Sequence, residues 1–151
     1  MLDTLKSFLS EFGEGTKAPP QFDANDYRLA AAALLVHVMT IDGQEKPAER
    51  DRLRDILKNQ FDLDDAQTDT LIEAATAADR DAIDLYRFTS LLNRSLDEAG
   101  RLRIVEMMWE IVYADDKVNE FEDNVVWRAA DLLGISSRDR IEMRRRVSGQ
   151  D

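Results

Sequence analysis

The sequence predicts an all-α fold, a single-domain bundle of about seven to eight helices that contains two pseudo-symmetric helical hairpins. Three observations carry that expectation. Apolar residues recur at helical spacing along the chain, with no sustained two-residue alternation. Pairs with capping-box spacing stand where successive apolar runs begin. The segments 28–75 and 101–147 repeat one design.

The elements follow in order. Leu2, Leu5, Phe8, Leu9 and Phe12 mark a short amphipathic helix on a Gly- and Pro-containing linker, so residues 1–22 form an N-terminal arm and residues 23–151 the helical domain. The run "DYRLAAAALLVHVMTI" (26–41) is apolar nearly all round, as a buried central helix must be. Asp42-Gly43 ends it, and Pro47 suits the first turn of the next helix, which carries Leu53, Ile56, Leu57 and Phe61 inward. Asp64 and Gln67 open a helix to about Ala78. A further helix is expected over Ala82 to Asn93, and Ser95 with Glu98 reads as the box that opens the second central run, "AGRLRIVEMMWEIVYA". The helix "EFEDNVVWRAADLL" stops at Gly134, and Ser136 with Asp139 starts the last helix.

Composition narrows the function. The 151 residues carry a formal net charge of -11, which opposes binding to nucleic-acid phosphates and favours cations or basic protein surfaces. The absence of cysteine removes disulfides, thiolate metal sites and thiol nucleophiles, and suits a cytoplasmic setting. The N-terminus does not read as a signal peptide, and no apolar run is long enough to insert in a membrane.

Sliding the chain by 73 positions sets Arg28 on Arg101, Asp42 on Asp115 and Glu49 on Glu122, with the apolar positions following. One residue is deleted beyond Phe61, so that Leu63 meets Ile135. Both halves therefore hold an Asp at the end of a central helix and a Glu in the first turn of the next.

The hinges "TIDGQEKPAE" (40–49) and "YADDKVNEFE" (113–122) resemble the A-x-A-D-G-x-[VI]-x-x-x-E hinge of the tellurite-resistance protein TerB-like helical domains, which also occur in some membrane-anchored DnaJ-type cochaperones. The likeness covers about Tyr27 to Val147. It departs at Ile41 and Glu45 in the first copy and at Asp116 in the second. The resemblance implies a helical bundle with a metal-linked or scaffolding role in bacterial stress systems, beside membrane-embedded and calcium-binding partner proteins.

Oxygen-rich hinges suit hard cations such as Ca2+ or Mg2+. Asp42, Glu49, Asp115 and Glu122 are the first-choice ligands, with Asp116 and Glu45 as weaker additions. The spacing is not that of an EF-hand, so an ion would need waters or both hinges. The same acids also suit a purely structural role, with Asn119-x-x-Glu122 as a capping box and Glu49 offsetting a helix dipole, worth about 0.5–2 kcal/mol each. His37, the only histidine, falls on the more exposed side of its helix. Arg144, Arg145 and Arg146 are expected to be solvated or to pair with the acidic body, and Met39, Met107, Met108, Trp109 and Trp127 to pack in the core.

No phosphate loop and no recognisable Ser-His-Asp setting is present, so the expectation is a non-catalytic module with a protein partner and no cofactor beyond a divalent cation. Two other functions stay open. One is a metal-independent scaffold or homo-oligomer built on the N-terminal helix, the other a metal-assisted hydrolase.

Overall fold

The computed structural model describes residues 22–149 apart from 42, 44–45, 83 and 115–119. Among the described residues there are seven helices and no strand: α1 (Tyr27–Thr40), α2 (Pro47–Phe61), α3 (Asp65–Asp81), α4 (Tyr86–Ser95), α5 (Glu98–Val112), α6 (Glu120–Leu132) and α7 (Ser137–Ser148). The expected N-terminal helix lies outside the described residues.

α1 is the axle. Leu29 to Val36, Val38 and Met39 are all buried, leaving Tyr27 and the partly exposed Arg28, His37 and Thr40 as the residues of this helix that reach water, and α2, α3, α4, α5 and α6 all pack around it. The run Ala30–Ala33 makes this possible, because side chains of one carbon let neighbouring helices come close on every side. The second apolar helix, α5, buries Met107, Met108, Trp109, Ile111 and Val112 against α1, α2, α6 and α7.

Chain punctuation follows local chemistry. The Asp26 carboxylate caps α1 by accepting from the Arg28 amide, and Asp64 with Gln67 forms a complete capping box on α3. α2 ends with Asp62 in the left-handed region, φ 54°, and Gly134 after α6 has φ 74°. In both places the next amide, Leu63 or Ile135, bonds five residues back to Lys58 or Ala130, and a side-chain cap follows at Asp64 or Ser136. The turn and cap of the two repeats thus share one local geometry.

Four expectations require correction. α3 continues to Asp81, since Ala74, Ala75, Ala77 and Ala78 favour helix throughout. α4 starts at Tyr86 rather than Ala82, and the Tyr86 amide donates to the Asp84 carboxylate at 3.0 Å. Asp97, not Ser95, caps α5, accepting from Gly100 at 2.9 Å, while Ser95 is the last residue of α4. Trp127 is 48% exposed instead of buried, with the Arg140 guanidinium 5.1 Å from its ring.

Candidate carboxylate centre at the two hinges

Glu49 is the third residue of α2 and Glu122 the third of α6. Side chains on a helix tilt toward its N-terminus, so both carboxylates turn back toward the hinge that precedes them. Both are 0% exposed. Burying a carboxylate costs several kcal/mol unless positive charge and hydrogen bonds replace water. Part of that replacement is the helix itself, since the first-turn amides carry the positive end of the dipole.

The rest includes Lys46. Its Nζ lies 3.7 Å from Glu49 Oε2 and 3.8 Å from Glu122 Oε2. One ammonium therefore joins acids 73 positions apart in sequence. Lys46 is the N-cap of α2, with extended backbone and no side-chain cap bond. Sequence reasoning missed it, although a lysine where Ser, Thr, Asp or Asn is favoured was the available signal.

Of the six predicted ligands, Asp42, Glu45, Asp115 and Asp116 lie outside the described residues, while Glu49 and Glu122 come together. Asn119, the expected capping partner of Glu122, also lies outside them. No group of three or more His, Cys, Asp or Glu able to hold a metal exists among the described residues. The donors fit a hard cation in kind, being carboxylate oxygens, and an ion would share its place with the Lys46 ammonium.

His37 stands apart from this centre. Its Nδ1 lies 2.8 Å from Asp79 Oδ1 on α3, with side-chain exposures of 27% and 13%. On α5 a small network forms: Arg103 donates to Glu106 at 2.9 Å and Glu110 at 3.2 Å. Beside it opens a cleft of about 590 Å³, lined by four acids, Asp51, Asp55, Glu106 and Glu110, and two arginines, Arg52 and Arg146, and bordered by Ala48 and Ala114 next to the two hinges.

Arg144 of α7 reaches the second hinge from outside. Its Nε donates to the Tyr113 hydroxyl at 2.7 Å, its Nη1 lies 3.2 Å from Asp123 Oδ1, and its guanidinium sits 5.2 Å from the Trp109 ring centroid. The hydrogen bond to Tyr113 is the main reason its protonated form is favoured even beyond the usual arginine.

The family described as tellurite resistance protein TerB matches residues 28–145. The chain belongs to the TerB family. That span takes in both hinges, both buried glutamates, Lys46 and Arg144, and indicates no catalytic family. The TerB chain is also similar to a crystal structure of a protein of unknown function from Porphyromonas gingivalis W83, with 18% identity and a TM-score of 0.60, covering 84% of this chain and 98% of that one. At that identity the likeness concerns the fold. A comparison with curated proteins finds no match. No helix among the described residues is long and apolar enough to cross a membrane.

Proposed function

We propose that this chain is a non-catalytic TerB-family module whose hinge carboxylates hold a divalent cation, Ca2+ or Mg2+, and whose acidic hinge surface docks a protein partner in the cytoplasm. The observation that supports this reading is the convergence of Glu49 and Glu122 on one ammonium. Two buried carboxylates selected to face a cation suit a second, more highly charged one, and a divalent ion brings two positive charges where Lys46 brings one. Glu49 and Glu122 would hold it together with Asp42 and Asp115, and Asp116 and Glu45 would add charge. The nearby acidic cleft offers the docking surface, and the partner chemistry it favours is a basic protein face, membrane-associated in some family settings.

Calorimetric titration with Ca2+, Mg2+ and Zn2+ tests the reading. Saturable binding tighter than about 100 μM that disappears in the Asp42→Asn/Asp115→Asn double variant supports it. Absence of binding, with a double variant that is only less stable, removes it.

One observation favours a second reading. Lys46 itself supplies a cation to the pair, so the centre also works as a structural latch in a metal-independent scaffold or homo-oligomer assembled through the N-terminal helix. Removing residues 1–21 abolishes assembly on that account and leaves it intact on the first. A metal-assisted hydrolase predicts turnover of esters or phosphoesters that Glu49→Gln or Glu122→Gln eliminates, and a panel showing none retires it.

A further inference from the structure

Charge is unevenly spread over this chain. The whole carries -11, yet α7 sets five arginines against two acids, Asp139 and Glu142. Arg138, Ile141 and Arg145 stand at i, i+3 and i+7, so they share one side of the helix, and all three are exposed. Trp127 of α6 flanks this stripe, with Arg140 over its ring. An isoleucine at 43% exposure and a tryptophan at 48%, set among arginines, have the composition of interface anchors.

Of the five arginines, Arg144 alone is ion-paired among the described residues, with Asp123. For Arg140, burial costs the charged form more than the Asp123 carboxylate returns, and neighbouring Arg144 repels it, so its value falls below that of an ordinary arginine. An incoming carboxylate supplies what Asp123 does not. Another side of α7 borders the cleft through Arg146 and Val147. In the cleft wall Glu106 and Glu110 are engaged by Arg103, and Glu110 also by Arg52. Asp51 and Asp55, one turn apart on α2, are exposed and form no ion pair among the described residues. One helix is thus edged by a basic stripe with apolar tips and by a cleft with unmatched carboxylates.

We infer that the occupant of the stripe is a second copy of this chain: the exposed face of α7 in each copy seats on the acidic cleft of the other, its arginines reaching Asp51 and Asp55 while Ile141 and Trp127 are covered. The inference takes the cleft as the docking surface of the proposed function and names its partner, and it needs no bound cation. Because both surfaces border one helix, a single twofold axis satisfies both contacts at once, and such an isologous contact closes as a dimer instead of growing into a filament. A nucleic acid or an anionic membrane fits the stripe less well, since either meets the net negative charge of the whole chain and offers little to Ile141.

Sedimentation velocity of the full-length chain in about 0.15 M salt, from about 1 μM to about 1 mM, tests this over the range of weak to moderate affinities. The parent is expected to pass from monomer to dimer and no further. Arg138→Glu/Arg145→Glu and Asp51→Lys/Asp55→Lys are each expected to stay monomeric, and the second brings the chain nearer neutrality, so net repulsion does not explain its loss. Mixed in equal amounts, the two variants form a dimer again, because the unaltered cleft of one meets the unaltered stripe of the other and the reversed surfaces also match. If a reversal variant does not fold, Arg138→Gln/Arg145→Gln carries the test and weakens dimerisation about tenfold. A monomeric parent overturns the inference, as does a dimer that persists in either reversal variant or a mixture that stays monomeric. Titrating hexa-arginine peptide into a monomeric parent then separates the two ideas. Saturable binding that Asp51→Lys/Asp55→Lys abolishes leaves the cleft to a basic face on another protein, and no binding removes the docking surface as well.

Discussion

Glu49 and Glu122, on different helices and both sealed from solvent, meet across the ammonium of Lys46 at 3.7 and 3.8 Å. Replacing that lysine by methionine keeps the stem and deletes the charge. Lys46→Met is expected to lower stability by about 3 kcal/mol, the scale for breaking a buried ion pair from one side. Urea denaturation measures it. If a divalent cation shares the centre, millimolar Ca2+ restores more stability to the variant than to the parent, because the competing ammonium is gone.

The left-handed turns give a paired test. Nothing lies within 4 Å of a Cβ built on Gly134, so Gly134→Ala carries only the backbone cost of its φ of 74°. A loss of about 1 kcal/mol is expected. Asp62→Gly relieves the same conformation at φ 54° and is expected to gain about 0.5 kcal/mol, after the larger unfolded-state entropy of glycine is subtracted. Thermal melts of the two variants should move in opposite directions.

Acid probes the first cap. Hydrogen bonds from the Arg28 side chain hold the Asp26 carboxyl below its ordinary value of 3.8, outweighing the opposing effect of burial. A depressed folded-state pKa contributes stability above the unfolded value and loses it as pH falls through the folded one. Arg28→Gln should therefore cost about 0.5 kcal/mol near pH 7, a modest figure for a partly exposed pair, and progressively less below pH ~4. A difference that stays constant from pH 7 to pH ~2 would show that the arginine acts through packing over Phe22 instead.

The two tryptophans should behave as different reporters. Trp109 is fully buried and Trp127 is 48% exposed, so iodide is expected to quench only the fluorescence lost in Trp127→Phe. Trp127→Phe should change stability by less than about 0.5 kcal/mol, whereas Trp109→Phe should cost about 2 kcal/mol through lost volume and a weaker face for Arg144.

What was legible in the sequence was the part governed by local chemistry. The all-round apolarity of α1, the capping box at Asp64, the Pro47 start and the Gly134 stop each depend on neighbours a few residues away, and each is found. Ser95 misled because Ser95-x-x-Glu98 fits the box spacing, whereas the cap is Asp97, two residues on, whose carboxylate accepts from the Gly100 amide without a Glu or Gln to complete a box. Trp127 misled because an aromatic ring at the edge of a helical stripe looks like core until the partner helix is placed. The depth of the carboxylate centre was invisible for a related reason. An acid in a first turn reads as a solvated staple, and nothing local in the sequence shows that Glu49 of α2 and Glu122 of α6 are both buried beside the same lysine. Even aligned residues part company: Arg28 grips a side chain, Asp26, whereas Arg101 donates to the Leu133 and Leu96 carbonyls.

A chain is made from one end, and α1 precedes the helices that cover it. Its partners α3, α4 and α5 follow, the last of them ending at Val112, 72 residues after Thr40. At ribosomal rates of about 5–20 residues per second, the helix waits roughly 4 to 14 seconds for the wall that shields it. During that interval a largely apolar helix, interrupted only by Arg28, His37 and Thr40 beyond its first tyrosine, is offered to whatever stands near the exit tunnel. The same alanine-rich axle that lets five helices crowd together in the finished protein makes the newborn one a client for holding factors, and ties its yield to the pace of translation between α1 and α5.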